Sequence, residues 1–184
     1  MSNKHLAYGP DHHAVETVMR IQAVKRWHMI DTTRQQTMAE HSANVAMLAM
    51  LIALQTPVFH FDNPQHIAAA ALVHDVPEVF TGDIPTHTKP HLSGLGVLEM
   101  AVTHPIFKIP VSENTRALIK ICDLADGIRF IRLHGVDATA RHAREGLEEQ
   151  FRLKFIEVAG DLGWPMNIVT TVRATATFYA YENS

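Results

Sequence analysis

The sequence predicts a single all-α domain of about five to seven helices. Apolar residues recur at helical spacing in several segments, N-cap and proline signals precede those segments, and no segment shows the persistent alternation that is typical of strands. The chain has 184 residues, of which 47% are hydrophobic and 19% charged, as in ordinary globular domains. We therefore expect residues 1–184 to form one domain with a substantial core.

The first half of the chain contains two predicted helices separated by an irregular segment. Asp11 is an N-cap candidate for a helix that ends near Ala23. Residues 25–38 have no clean period, and a loop of this length inside a compact domain is more often functional than idle. Residues 39–55 are apolar almost all the way round, which predicts a central buried helix with His41 on an inward stripe.

The second half begins with a helix start at Asn63, followed by Pro64 at the first helical position. Its apolar spacing extends to His74 and places that side chain on the core-facing stripe. Prolines and glycines interrupt residues 81–96, which predicts a long irregular loop or a short helical turn. Three further helices are expected, over residues 112–134, 137–159 and 165–181.

Charge and composition exclude several classes of function. The net charge of −3 gives no footprint for duplex nucleic acid or an anionic membrane. The longest apolar run, residues 45–54, is too short to span a bilayer, and the N-terminus lacks the apolar region of a signal peptide. The single cysteine fits a reducing compartment. We expect a cytoplasmic protein, and the broad apolar face of residues 45–54 predicts a homo-oligomer.

A group of inward histidines and aspartates indicates a metal site. His41, the adjacent pair His74 and Asp75, and Asp123 provide two imidazoles and two carboxylates from three predicted helices. Burying such groups is costly unless they are paired or bind a metal. Mixed nitrogen and oxygen ligands suit manganese, iron, cobalt, nickel or zinc, and leave coordination positions for water and a substrate oxygen.

Four short motifs make this interpretation specific. They are Arg26-Trp27, AEHS at 39–42, HDVPEVFTGDIPT at 74–86 and KICD at 120–123. In this order they resemble the HD-domain metal-dependent phosphohydrolases, an all-α family, and within it the bacterial 5′-deoxynucleotidases and the phage dATP triphosphohydrolases. The match covers about residues 10–135. It implies an HD-domain helical bundle that cleaves the 5′-phosphate ester of a deoxynucleotide by attack of water on the α-phosphorus, in the cytoplasm of a bacterium or of a phage-infected host.

The resemblance also implies the metal ligands, which are His41, His74, Asp75 and Asp123. The ion could be cobalt, manganese, zinc, magnesium, nickel or iron, and a second ion bridged by substrate phosphates remains open. Asp126 shares a helix face with Asp123. We expect it to act as a cap or to pair with a nearby base such as Arg129, rather than to bind the metal.

The same resemblance assigns roles around the substrate. Glu78 and Asp83 are implied to handle protons at the attacking water and the leaving 5′ oxygen. Arg26 is implied to bind phosphate, for which a guanidinium fork is well suited, and Lys89 is a further phosphate candidate. Trp27 is implied to pack against the sugar where a 2′-hydroxyl would lie, which gives a preference for deoxyribose.

The residues after Trp27 bear on the choice of substrate. His28 and Met29 stand where the bacterial monophosphatases have proline and an aliphatic residue, and this segment looks more like the phage triphosphohydrolases. There an apolar side chain near the purine edge excludes a 2-amino group, a role that falls here to Met29 or, alternatively, Ile30. We therefore favour dATP as substrate, with deoxyadenosine and triphosphate as products. A 5′-deoxynucleotidase that acts on monophosphates is the alternative.

Two other classes of protein remain open. A catalytically silent HD module would bind nucleotide or metal as a sensor or scaffold, but would not need the water-activating Glu78. A di-iron oxygenase or an HD enzyme acting on cyclic nucleotides would need further ligands such as His87, His91 and His104. Prolines at positions 90 and 105 interrupt the helices on which such ligands would lie, so we expect loop positions for these three.

Overall fold

The computed structural model describes residues 11–57, 59, 61–85 and 88–182. These ranges contain eight α-helices, so the all-α prediction is confirmed. The count exceeds the expected five to seven because two short helices form between positions 78 and 102, where the sequence is divided by proline and glycine. The helices are α1 (His12–Arg20), α2 (Met38–Gln55), α3 (Pro64–Leu72), α4 (Glu78–Thr81), α5 (Leu95–Val102), α6 (Glu113–His134), α7 (Ala138–Gly160) and α8 (Met166–Tyr181).

Side-chain caps begin most of the long helices where the sequence predicts them. Asp11, Asn63, Ser112 and Asp137 each accept a hydrogen bond from a backbone N–H in the first turn of α1, α3, α6 and α7. Thr37 caps α2 in the same way. Because a cap satisfies an otherwise orphan donor, these residues fix where each helix starts.

The segment between α1 and α2 contains a small antiparallel ladder that the sequence does not reveal. Strand β1 (Lys25–Arg26) pairs with strand β2 (Gln36–Thr37), and Arg26 lies opposite Gln36. Two residues per strand are too few for alternation to be recognised. The ladder holds Arg26 and the following Trp27 against the start of α2.

Helix α3 ends earlier than its apolar spacing predicts. It stops at Leu72, and His74 lies in the turn that follows rather than on the helix. Pro77 disfavours a longer helix, because it lacks the N–H that would bond to the Val73 carbonyl if the helix continued. Glu78 therefore starts the separate helix α4 instead of extending α3 by one turn.

Helices α2 and α6 form the centre of the molecule. Helix α2 packs against α3 and α6, and α6 also packs against α7 and α8. Val45, Ile52, Leu118 and Ile128 are fully buried in this core. Across the described ranges, no helix is both long and apolar enough to cross a bilayer.

The outer face of α2 is only partly covered within one chain. Met47, Leu51 and Leu54 are 69%, 46% and 57% exposed. These side chains belong to the apolar face from which the sequence predicts a homo-oligomer. That prediction stays open.

Candidate active site

The four predicted metal ligands come together at one point of the fold. Nitrogen or oxygen atoms of His41, His74, Asp75 and Asp123 all lie within 4.8 Å of one another. His41 Nε2 is 3.2 Å from Asp123 Oδ1, and His74 Nε2 is 3.3 Å from Asp75 Oδ2. Helix α2, the turn after α3 and helix α6 each contribute to the cluster.

Both imidazole rings are oriented so that Nε2 faces the cluster. His41 Nδ1 lies 2.7 Å from Asp126 Oδ2, and His74 Nδ1 lies 2.7 Å from the Ala71 carbonyl oxygen. Because these oxygens accept, each Nδ1 carries the proton and Nε2 is the atom that can offer a lone pair. The Nε2 atoms are buried and have no hydrogen-bond partner among the described residues. Two such nitrogens beside two carboxylates fit a divalent ion.

Asp126 lies beside the cluster and orients His41. It is 1% exposed. Arg129, the partner expected from the sequence, donates to the backbone carbonyls of Tyr179 and Glu182. Asp126 itself accepts four hydrogen bonds, from His41 Nδ1, Gln36 Nε2, Asn44 Nδ2 and the Tyr179 hydroxyl.

Positive charges keep the carboxyls of Asp75 and Asp123 ionised. Burial acts to raise the pKa of Asp123, but Lys120 and His41 outweigh it and hold this pKa well below its usual range. Lys120 Nζ donates to Asp123 Oδ2 at 2.6 Å. Burial likewise opposes a lowered pKa at Asp75, where interactions with His74 and Arg26 prevail. Arg26 Nη1 donates to Asp75 Oδ2 at 2.8 Å.

The same carboxylates favour a protonated His41. Burial and the charge of Arg26 act to lower the pKa of His41, but Asp123 and Asp126 outweigh them and raise it to about 9. An ion that binds His41 Nε2 near neutral pH must therefore displace a proton.

Glu78 is a buried carboxyl next to the four predicted metal ligands. It is 4% exposed, and its Oε1 accepts a hydrogen bond from Lys89 Nζ at 2.6 Å. Its Oε2 is buried and has no hydrogen-bond partner within the described part of the chain. Burial and the negative charge of Asp75 raise the pKa of Glu78 to about 8, although Lys89 acts in the opposite direction. Glu78 can thus hold a proton near neutral pH.

Trp27 is held in an unusual backbone conformation. Its φ of 61° lies in the left-handed region, which is unfavourable for a bulky residue. The Trp27 N–H donates to Asp83 Oδ2 at 3.1 Å, and the indole Nε1 donates to Gln36 Oε1 at 2.9 Å. The ring lies so close to Gly127 that a Cβ there would be 3.3 Å from Trp27 Cζ2. These contacts stabilise the strained conformation and fix the position of the indole.

A cavity of about 790 Å³ opens onto the predicted metal ligands. This volume lies in the range of small-molecule sites. The cavity wall includes three of the predicted metal ligands, His74, Asp75 and Asp123. It also includes all six residues that the sequence assigned to catalysis or substrate binding: Arg26, Trp27, Met29, Glu78, Asp83 and Lys89.

Part of this wall was missed by the sequence analysis. Lys120, which precedes Asp123 by about one helical turn, lines the cavity. Helix α7 contributes a whole face to it, although no motif was found in the last 50 residues. The available signal is a stripe of uncharged or weakly polar residues on an otherwise charged helix, namely Thr139, His142, Ala143, Gly146, Leu147 and Gln150.

The other histidines considered as ligands lie elsewhere. His91 ends a short 3₁₀ turn, Lys89–His91, and His104 Nε2 is 2.9 Å from Asp11 Oδ2. His87 lies outside the described residues. Within those residues, the His41 cluster is the one group of three or more side chains arranged to hold a metal ion.

An all-helical bundle with histidine, histidine-aspartate and aspartate converging in the core defines the HD-domain class of metal-dependent phosphohydrolases. A family model described as 5′-deoxynucleotidase YfbR-like matches residues 13–99. A dATP triphosphohydrolase of Salmonella phage PMBT28 is 36% identical over 73% of this chain and 74% of its own length. A dATP triphosphohydrolase of Cyanophage S-2L is 30% identical over 80% and 87%, respectively. The chain belongs to this family of HD-domain phosphohydrolases.

A solved structure shows the same fold. The HD phosphohydrolase of Cyanophage S-2L, bound to dA and one catalytic Zn²⁺ ion, superposes with a TM-score of 0.77. The match covers 91% of this chain and 96% of that protein, at 24% sequence identity. The helical arrangement described above is therefore that of an HD phosphohydrolase.

Proposed function

We propose that this chain is a divalent-metal-dependent hydrolase that cleaves dATP to deoxyadenosine and triphosphate. The observation that carries the proposal is the cluster of two buried imidazole Nε2 atoms and two ionised carboxylates, which opens onto a cavity with Arg26, Lys89 and Lys120 in its wall. The names of the two phage relatives supply the choice of dATP.

His41, His74, Asp75 and Asp123 are the side chains that would hold the ion. A divalent ion lowers the pKa of a bound water toward about 7 and polarises a phosphoryl oxygen, which is the chemistry that hydrolysis of a phosphate ester requires. Zinc is the first metal to test, because the related cyanophage structure contains it.

Three cations line the cavity and would bind the phosphates. Arg26 Nε is buried and has no hydrogen-bond partner among the described residues, so this N–H can donate to a phosphate oxygen while Nη1 holds Asp75. The side chains of Lys89 and Lys120 are 38% and 42% exposed, which lets their ammonium groups reach into the cavity. Their charges stabilise the negative charge that develops on the phosphate and on the leaving triphosphate.

Glu78 is assigned to proton transfer. Because its pKa is raised to about 8, the protonated carboxyl can donate to the 5′ oxygen of deoxyadenosine as the bond to the α-phosphorus breaks. Lys89 holds one oxygen of this carboxyl, which leaves Oε2 for the proton. Asp83 assists from the cavity wall, where it also holds the backbone N–H of Trp27.

Selectivity is assigned to the segment after β1. Trp27 would pack against the 2′ position of the sugar. Because its ring is fixed, it would not move aside to make room for a 2′-hydroxyl. Met29 is 66% exposed at the cavity and would lie near the purine edge, where it disfavours the 2-amino group of guanine.

A 5′-deoxynucleotidase is the second candidate. The family model that matches residues 13–99 carries that description, and the matched range contains the HD pair. The same ligands and the same proton donor would then serve a deoxynucleoside monophosphate.

Product analysis distinguishes these possibilities. Purified protein is incubated with dATP, dGTP, dAMP and ATP, each with zinc, cobalt, manganese or magnesium, and the products are separated by anion exchange. Triphosphate from dATP alone is the expected result. Phosphate from dAMP alone would replace the first proposal by the second.

Two histidine variants control this experiment. His74→Ala should abolish hydrolysis. The matched His66→Ala, which removes a ring bonded to the Pro110 carbonyl outside the cavity, should not. Equal activity in His74→Ala and the wild type would contradict both functions, and no hydrolysis by the wild type with any metal would favour a silent binding module.

A further inference from the structure

A chain of hydrogen bonds joins Trp27 in the cavity wall to the predicted metal ligand His41, and Gln36 is its central link. We propose that Gln36 is a positioning residue that couples Trp27 to the ligand His41, so that sugar selection and metal affinity depend on one another. The position of the sugar rests on the proposed function, whereas the effect on metal binding does not.

The chain has three links between four side chains. Trp27 Nε1 donates to Gln36 Oε1 at 2.9 Å, and Gln36 Nε2 donates to Asp126 Oδ2 at 2.8 Å. His41 Nδ1 donates to the same Asp126 oxygen at 2.7 Å. Gln36 and Asp126 are 1% exposed and His41 is 0% exposed, so water does not compete for these bonds.

The chemistry of the two neighbours fixes the orientation of the Gln36 amide. An indole N–H can only donate, and an ionised carboxylate can only accept. The amide must therefore direct its oxygen to Trp27 and its nitrogen to Asp126. If the amide turned over, both bonds would be lost together, and the indole N–H and both polar groups of the amide would lack partners.

The backbone ties the same residues together. Gln36 lies directly opposite Arg26 in the β1–β2 ladder, next to Trp27 with its left-handed backbone. The Trp27 N–H is held by Asp83, so the residue is fixed at its backbone by one side chain and at its indole by another. Movement of the indole must therefore pull on Gln36, and through Asp126 on the ring of His41.

Coupling of this kind is reciprocal. Suppose that a deoxynucleotide that fits against Trp27 stabilises this chain of hydrogen bonds. The nucleotide then increases the affinity for metal by the same factor by which metal increases the affinity for the nucleotide. A ribonucleotide that displaces the indole would disturb Gln36 and lose part of this gain. Discrimination against ribose would then come from the metal site as well as from the steric contact.

Two variants test the coupling. Gln36→Met keeps the length of the side chain but removes both polar groups, and Trp27→Phe keeps an aromatic ring but removes the indole N–H. Zinc and cobalt affinities are measured without nucleotide, by competition with a chromophoric chelator. We expect both variants to bind metal about three- to tenfold more weakly, as the loss of a hydrogen bond in the chain implies. Trp27 is not itself a candidate ligand, so an effect of Trp27→Phe on metal affinity is specific to the coupling.

The second measurement is the ratio of kcat/KM for dATP to that for ATP. Gln36→Met should lower this ratio by about three- to tenfold, since the indole loses its anchor. Asn114→Leu is the matched control. It removes an equivalent amide, which accepts from Trp164 Nε1 at 2.9 Å outside the cavity, and should change neither metal affinity nor the ratio.

Each outcome decides the proposal. Metal affinities of Gln36→Met and Trp27→Phe within twofold of Asn114→Leu would overturn it, as would weaker metal binding by Gln36→Met with an unchanged dATP to ATP ratio. If thermal unfolding shows that Gln36→Met does not fold, Trp27→Phe decides alone. If the wild type hydrolyses no deoxynucleotide, the proposed function fails, while weaker metal binding in both variants still supports the coupling.

Discussion

Replacing Asp126 with asparagine tests whether the partner of His41 controls the metal site. Asp126 Oδ2 accepts from His41 and Gln36, and Oδ1 accepts from Asn44 and Tyr179. Asparagine has one acceptor oxygen, so one pair of donors must face an amide NH₂. The Asn44 amide can turn over and the Tyr179 hydroxyl can rotate. We therefore expect the asparagine oxygen to remain with His41 and Gln36.

Two effects of this change on metal affinity oppose each other. A hydrogen bond to a charged acceptor contributes about 1.5–3 kcal/mol and a neutral one about 0.5–1.5 kcal/mol. The difference of about 1–1.5 kcal/mol corresponds to about five- to tenfold weaker metal binding through a less basic His41, near the low end for outer partners of metal ligands. At the same time, removing the Asp126 charge lowers the pKa of His41 from about 9, so the ion displaces a proton more easily.

The pH dependence separates the two effects. Below pH 9 the wild-type His41 carries a proton that the ion must displace, so the affinity for zinc should rise by up to about tenfold per pH unit and level off near pH 9. In Asp126→Asn the plateau should begin at a lower pH and lie about five- to tenfold lower. Chelator competition from pH 6 to about 9.5, in buffers without metal affinity, measures both features.

Asp62→Asn is the matched control, because Asp62 accepts from the backbone N–H and hydroxyl of Ser112 outside the cavity. Its metal affinity should follow the wild type at every pH. The reasoning is refuted if Asp126→Asn has the same plateau and the same onset as the wild type. In that case Asp126 would stabilise the core without influencing His41.

Three other variants test the proton donor, the base preference and the close packing at Gly135. Glu78→Gln should lower kcat by about 10²–10⁴-fold without changing metal affinity, and should remove the decline in kcat/KM that deprotonation of Glu78 gives the wild type above about pH 8. Met29→Ala should reduce the preference for dATP over dGTP by about tenfold or more in competition assays, since an exposed side chain is removed from the cavity wall. Gly135→Ala should destabilise the fold by about 1–3 kcal/mol in urea unfolding, because the new Cβ would lie 2.7 Å from Ala140 Cβ and from the Ile131 carbonyl oxygen.

Each of these predictions has its own contrary result. A wild-type kcat in Glu78→Gln would show that another group supplies the proton. An unchanged base preference in Met29→Ala would indicate that Ile30, rather than Met29, contacts the purine edge. Gly160→Ala is the control for Gly135→Ala, because a Cβ at Gly160 meets nothing within 4 Å. Equal unfolding free energies for the two alanine variants would show that the backbone near Gly135 adjusts without cost.

Local signals determined much of the fold. Asp11, Ser112 and Asp137 mark helix starts because a cap acts on N–H groups only two or three residues away. The convergence of His41, His74, Asp75 and Asp123 was also predictable, since the four residues stand in recognisable motifs. The end of α3 was not, because apolar spacing continued to His74 while Pro77 interrupted the helix.

The tertiary structure decided what surrounds these residues. Gln36, His41 and Asp126 meet across more than 80 positions of sequence, through the packing of α2 and the β1–β2 ladder against α6. The face of α7 that lines the cavity likewise depends on how α7 packs against α6. Helical periodicity tells which side of a helix is buried, but not which helix covers it or at what height along the axis. The sequence therefore determined the helices and the four residues of the predicted metal site. The hydrogen bonds that orient these residues, and the outer wall of the cavity, depend on how the helices pack.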